Sequence, residues 1–204
     1  MEHEPESCLA AALAYAARGW HVLPLHWIVD GRCSCGDAAC KSPAKHPLTK
    51  HGLSDATTSE ATIRNWWNKW PLANVAIRTG EVSQIFVVDV DGEKGQETWR
   101  SIRGDEPLSK KEVFVATTGR EGGVHLFFKL PEGRVNIKSW TDRERKIDVR
   151  ADGSYVVVAP STHLSGRAYK WVIPPILSAE LFPCPQWVVD FATRGKRAGK
   201  AKAL

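Results

Sequence analysis

Two aspartates one residue apart close the apolar run Ile85-Phe86-Val87-Val88-Asp89-Val90-Asp91-Gly92. On a strand, alternate side chains share a face, so both carboxylates project together from the end of a buried element. Such a pair can bridge magnesium or manganese and leave coordination positions for substrate phosphates. The competing reading is a strand running into an Asp-Gly turn, where aspartate bonds its local backbone. Two carboxylates rarely suffice for such a site. Asp148, in Lys146-Ile147-Asp148-Val149-Arg150, stands in the β-branched context of a ligand projected from a sheet. Its alternative is a surface ion pair with Lys146 or Arg150.

Between these acids lies Thr117-Thr118-Gly119-Arg120-Glu121-Gly122-Gly123-Val124-His125-Leu126-Phe127-Phe128. Glycines let backbone amides approach a phosphate closely, and a following histidine can donate to a triphosphate oxygen. By itself the Gly122-Gly123 pair reads better as a hairpin turn. The later loop Ala159-Pro160-Ser161-Thr162-His163-Leu164-Ser165-Gly166 offers hydroxyl and imidazole groups to phosphate or sugar, with a structural turn as the equal competitor. Arg78, Arg120, Lys146 and Arg150 are the candidate cations for phosphate contacts.

A second constellation holds softer ligands. Cys33, Cys35, Cys40 and His46 fall within 14 residues, and three thiolates with one imidazole make a closed tetrahedral zinc set. The single residue between Cys33 and Cys35 is tighter than the usual finger spacing, and free thiols in a reducing compartment are the alternative. His51 is the substitute fourth ligand. Cys8 and Cys184 read as small buried hydrophobes.

These groups need a scaffold. The 204 residues, 43% hydrophobic and 25% charged, suit an ordinary globular unit with material for a core. No apolar run reaches the roughly 20 residues of a membrane span, and the acidic start Met1-Glu2-His3-Glu4-Pro5-Glu6 lacks the pattern of a secretory signal. A cytoplasmic protein without a membrane role is therefore expected. A net charge of +5 favours a polyanionic partner, although part of the excess lies in the basic run at 194–204, which reads as a tail or linker. Nine tryptophans point mostly to core and rim packing.

Helices are expected at 7–18, 59–70, 94–102 and 186–193. Strands are expected at 21–25, 74–78, 85–90, 113–116, 124–130, 146–149, 155–159 and 169–172, with an irregular, stapled excursion over 30–56. Mixed helix-crossover and hairpin spacings argue for an α+β or mixed α/β fold with a mixed sheet. No internal repeat is visible.

In order and kind, these segments resemble the N-terminal primase-polymerase (Prim-Pol) domain of bifunctional DNA primase/polymerases, in the archaeo-eukaryotic primase superfamily. The likeness runs from about residue 10 to 171. The matching motifs are Cys33, Cys35 and Cys40 with Ser42-Pro43-Ala44-Lys45-His46-Pro47, then Asp89 and Asp91, Gly122-Gly123-Val124-His125, and Asp148. Ala44 and Ala151 stand where the family commonly has glycine, and one proline precedes Ser161 where two are often seen.

The resemblance implies a catalytic sheet like an RNA-recognition motif, with an accessory α/β part and an inserted zinc loop at about 30–47, all within a unit spanning 1–193. It implies that Asp89, Asp91 and Asp148 hold two magnesium or manganese ions and that His125 contacts the phosphates of the incoming nucleotide. The expected nucleotide-binding set is Arg78, Arg120, Gly122, Gly123, His125, Arg150, Ser161 and His163, with structural zinc on the cysteines and His46. The implied activity is template-directed nucleotidyl transfer on single-stranded DNA, with primer, NTP or dNTP, and a helicase domain or separate helicase as partners. The alternatives are a non-catalytic DNA-binding module of a replication initiator and a two-metal nuclease, since paired aspartates serve hydrolysis equally well.

Overall fold

The computed structural model describes residues 7–133, 136–175 and 180–194. In chain order it runs α1 (Cys8–Ala17), β1 (Val22–Leu25), β2 (Ile28–Val29), β3 (Arg32–Cys33), a 3-10 turn (Gly52–Asp55), α2 (Glu60–Lys69), β4 (Asn74–Arg78) and β5 (Ile85–Val90). There follow α3 (Gly92–Arg103), β6 (Phe114–Thr117), β7 (Val124–Lys129), β8 (Trp140–Asp142), β9 (Ile147–Arg150), β10 (Tyr155–Val157), β11 (Lys170–Ile173) and α4 (Gln186–Arg194). Of the basic run expected as a tail, Arg194 ends α4 and 195–204 lie outside the described residues. The fold is mixed α+β, as the spacing predicts. Among the described residues no helix is long and apolar enough to cross a membrane.

A six-stranded sheet, ordered β11-β6-β7-β5-β9-β8, is antiparallel throughout, and a three-stranded sheet, β1-β4-β10, accompanies it. Every pairing between these strands is antiparallel, with one isolated parallel bridge, Lys138 to Asp152, outside them, so the expectation of a mixed sheet is corrected: α3 returns the chain to the same sheet without making a parallel neighbour. Alternation on β5 sorts its side chains between two cores. Ile85 and Val87 enter the core shared with α1, α2 and the small sheet, while Phe86, Val88 and Val90 enter the core under α3 and α4. Asp89 is next on the Ile85-Val87 face, so the period that builds the sheet carries this acid to the margin of the first core.

Ten-residue helices such as α1 and α2 are marginal in isolation. Capping and burial hold them here. Ser7 accepts from the Ala10 amide and Ser59 from the Thr62 amide, while Tyr15, Ile63 and Trp67 pack into the first core. All nine tryptophans lie in, or pack against, one of the two main cores. Trp20 stacks on Phe127 of the large sheet at 6.1 Å between centroids, which helps join the two sheets through apolar contact.

Two chain crossings fix one sheet against the other. The β4–β5 turn and the β9–β10 link run side by side, with the Thr79 hydroxyl donating to Ala151 O at 2.7 Å and the Thr79 amide to Ser154 O at 3.0 Å. Gly80 has a positive φ of 92°, and a Cβ there would lie 2.7 Å from the Asp152 Cα. Any side chain at this position must push the crossings apart.

Candidate functional site

The register of the large sheet puts three of the expected residues in one transverse row. On β5, Asp89 faces His125 of β7 on one side and Asp148 of β9 on the other. Directly opposed residues of an antiparallel pair share a face, so three side chains from distant parts of the sequence meet on one surface. Asp91 follows as the N-cap residue of α3 and makes no side-chain capping bond. Its carboxylate is therefore not consumed by the local turn chemistry that was the competing reading of Asp89-Val90-Asp91.

Each acid faces a basic side chain. His125 Nε2 lies 3.4 Å from Asp89 Oδ1, Arg120 Nε lies 3.4 Å from Asp91 Oδ1, and the Arg150 guanidinium meets the Asp148 carboxylate. Burial raises the Asp89 pKa, but His125, Arg150 and Lys45 outweigh it and hold the carboxyl below its ordinary value. Burial also raises Asp148, and there Asp89 and Asp91 add to the rise while Arg150 opposes it, leaving the carboxyl above its ordinary value. A negative cluster with one acid pushed upward is a demand for more positive charge. Carboxylate oxygens are the hard donors that magnesium and manganese take, so the kind of donor suits such ions, while among the described residues the one set of three or more His, Cys, Asp or Glu whose ligand atoms already lie within 4.8 Å of one another is Cys33, Cys35, Cys40 and His46.

A cavity of about 320 Å³ between the two sheets opens on Asp89 and His125 of this row, whereas Asp148 and Asp91 do not line it. Asp89, His125 and Arg150 line it from the large sheet, Tyr155 from the small sheet, and Ser42 and Lys45 from the cysteine-rich loop. Tyr169 closes one side, its ring 5.9 Å from His125 between centroids, and burial together with Asp89 and Asp91 pushes its phenol pKa upward. His163 lies beyond, with its ring 6.3 Å from Tyr169. Its pKa is lowered by burial and by Lys45 and Arg120, against the pull of Asp91, which places it within the field of the same charges.

Other expected residues have structural partners. Gly122 and Gly123 form the β6–β7 turn, in which the Gly123 amide donates to Arg120 O at 3.1 Å and a Cβ on Gly122 would stand 3.1 Å from Glu93 N. The pair thus lets the turn close against the start of α3, beside Asp91. Ser161 is fully buried, and its hydroxyl bonds the backbone N and O of Val75 at 2.9 and 3.0 Å, so it faces β4 and not the cavity. Arg78 stands opposite Tyr155 on the small sheet and does not line the cavity; its Nε is buried without a hydrogen-bond partner among the described residues. Lys146 is exposed, while its carbonyl accepts from the Asp91 amide at 2.9 Å and ties β9 to the second acid.

The cysteine-rich loop folds around its own cluster. Ligand atoms of Cys33, Cys35, Cys40 and His46 all lie within 4.8 Å of one another. His46 Nε2 is 3.4 Å from Cys33 Sγ and 3.5 Å from Cys40 Sγ. With Zn–S near 2.3 Å and Zn–N near 2.1 Å, a tetrahedron has N–S edges of about 3.6 Å, so the set fits zinc. Burial raises the Cys33 thiol, but hydrogen bonds from the Ala44 and Cys35 amides and from His46 bring it down to about 7, toward the thiolate that a metal needs. His51, the alternative ligand, is turned away: it is exposed and pairs with Asp55 at 3.0 Å. His26 stacks on His46 at 4.1 Å and bonds Ser34 Oγ through Nδ1 at 2.9 Å, supporting the ligand from behind. Ala44 adopts a left-handed φ of 59°, which explains why glycine is favoured there.

Lys45, Asn74, Tyr155 and Tyr169 were not anticipated as site residues. Asn74, only 3% exposed, bonds Ala44 O at 3.2 Å and both the N and O of Thr162 at 2.9 and 2.8 Å. One amide thereby locks the cysteine-rich loop to the His163 loop. The only local signal was that Lys45 adjoins His46; the others become visible only through long-range packing.

A family model described as bifunctional DNA primase/polymerase, N-terminal, matches residues 12–187, most of the chain. The protein belongs to this family of nucleotidyltransferase-type DNA primase/polymerase domains, whose activity implies binding of DNA and nucleotides. No curated protein matches the chain.

Proposed function

We propose that this cleft carries out template-directed nucleotidyl transfer on single-stranded DNA, starting primers as well as extending them, in DNA replication. The observation that carries the reading is the row of His125, Asp89 and Asp148 on adjacent strands, with Asp91 at the strand end beside it. Two magnesium or manganese ions bound there would supply activation of the attacking hydroxyl and neutralisation of the triphosphate and departing pyrophosphate.

The chain's own residues do the rest. Asp89 and Asp148 present oxygens from facing strands, and Asp91 adds a third carboxylate free of capping duty. Arg120 and Arg150 now neutralise two of these acids, and exchange of those partners for metal would free both guanidiniums for phosphate oxygens. His125 uses Nε2 toward Asp89, while its buried Nδ1 lacks a partner among the described residues and is left for a ligand. The turn carrying Gly122 and Gly123 abuts the start of α3 beside Asp91, and His163 packs against Gly119 of the same connection.

With the edge strand β8 left aside, the central strands β6, β7, β5 and β9 stand in the order second, third, first, fourth of their appearance along the chain, which supports the likeness to an RNA-recognition-motif sheet. Where that motif has a second helix, this chain has β8, and α4 covers the same face from later in the sequence. We read 1–193 as one catalytic unit with the zinc loop inserted, and the basic run after it as a linker toward a helicase partner.

Incubation with single-stranded DNA, labelled nucleotides and magnesium or manganese tests the reading. Products with and without a primer are expected, and they vanish when the divalent ion is withheld. Shortening of the DNA without incorporation would assign the acids to a nuclease, and DNA binding without either reaction would make the chain a non-catalytic module.

A further inference from the structure

Lys45 stands apart from the other cations of the cleft. It sits in the cysteine-rich loop, next to the metal-ligand candidate His46, yet its side chain lines the cavity with Asp89, His125 and Arg150. Arg120, Arg150 and His125 each oppose an acid, whereas Lys45 makes no ion pair among the described residues. An ammonium that faces a cleft with no carboxylate in contact among the described residues, and with only the longer-range fields of Asp89 and Asp91 attracting it, can take up an anion.

Its backbone is held from both sides. Ala44 N donates to Cys33 Sγ at 3.4 Å, and the Lys45 amide donates to Ser42 O at 3.1 Å, so the segment is tied to the ligand cluster. The next three carbonyls are each bonded from a different place: Ala44 O by Asn74 at 3.2 Å, Lys45 O by the Tyr155 hydroxyl at 2.8 Å, and His46 O by the His26 amide at 3.0 Å. The bond from Ala44 N to Cys33, together with those from Asn74, Tyr155 and His26, fixes where the Lys45 side chain leaves the loop, and loss of the knot removes the first of these anchors.

We propose that the Cys33-Cys35-Cys40-His46 zinc knot sets the nucleotide affinity of the cleft by holding Lys45 in it as a contact for the anionic triphosphate. The proposal rests on the reading of the cleft as a nucleotide site and assigns the knot a role beyond ordering its own loop. One charge-assisted contact to phosphate corresponds to roughly a ten- to hundredfold change in affinity.

Calorimetric titration of the intact chain with inorganic tripolyphosphate and with a nucleoside triphosphate, in magnesium, reads this directly, with zinc measured in the same samples. Lys45→Met is expected to keep its zinc and lose about ten- to hundredfold in affinity for both probes, and Lys45→Arg to restore much of it. Wild-type protein stripped of zinc and returned to magnesium should show a comparable loss, and stripping Lys45→Met should add little. Unchanged affinity in Lys45→Met, or an equal further loss on stripping that variant, would overturn the coupling while leaving the cleft reading intact. Failure of zinc-loaded wild type to bind either probe would overturn the cleft reading, and the proposal with it.

Discussion

Asp148→Asn is expected to lower metal-dependent nucleotide incorporation by about 10³-fold or more while leaving the Tm of the metal-free protein unchanged or higher. The two halves have one cause. Asp148 on β9 stands directly opposite Asp89 on β5, and burial, Asp89 and Asp91 together outweigh Arg150 to raise its pKa. A carboxyl whose folded pKa exceeds its unfolded value favours the fold when protonated; that contribution is complete below the unfolded pKa and is lost as pH rises through the folded one. At neutral pH the ionised Asp148 therefore opposes folding, and asparagine removes that opposition while removing a ligand oxygen's charge. Thermal denaturation without divalent ions and incorporation with them check the pair of effects. Retained incorporation together with a fall in Tm would make Asp148 a structural ion-pair residue, as its sequence alternative has it.

Cys33→Ser is expected to bring bound zinc well below one equivalent and to speed tryptic cleavage at Arg32, Lys41 and Lys45 by about 100-fold, with the two sheets still folded. Cys33 is buried at the centre of the loop's bonds: it contacts His46 and accepts from the Ala44 amide. The segment around it supplies little apolar surface of its own, whereas the two main cores are built from the sheets and helices. Structural zinc in small knots contributes on the order of 10 kcal/mol to folding, enough to decide whether this loop is ordered. Limited proteolysis beside elemental analysis reads both consequences. A variant that kept its zinc and its protease resistance would show that Cys33 is a small buried hydrophobe and no ligand.

Much of the scaffold is legible in the sequence because the strong periodic runs decide it. Ile85–Val90 alternates into two cores and ends on an acid, and the expected strands at 74–78 and 85–90 coincide with β4 and β5. Weak periodicity hides the remainder: β8 is a three-residue edge piece, Trp140–Asp142, and β2 and β3 form a two-residue-per-strand hairpin inside an irregular loop. The start of α3 at Gly92 is earlier than expected, because Asp91-Gly92 reads equally as a turn, and Gly92 takes a left-handed φ of 68° at the first position of the helix.

Acids were easier to find than their surroundings. Asp89, Asp91 and Asp148 stand at strand ends, where local pattern reveals which way a side chain points. Ser161 occupies a loop whose hydroxyls read from the sequence as open to phosphate or to a structural turn, but two backbone bonds to Val75 bury it, and only the tertiary fold supplies that strand. Lys45 is the opposite case. Its distance along the chain from every acid concealed a cation that packing delivers to the cleft.

The most direct measurement is primer extension on single-stranded DNA, with magnesium or manganese, by wild type and by the double variant Asp89→Ala, Asp91→Ala. Loss of all detectable extension in the double variant, against clear extension by wild type, is the predicted result, and undiminished extension by that variant would contradict the assignment of catalysis to these carboxylates.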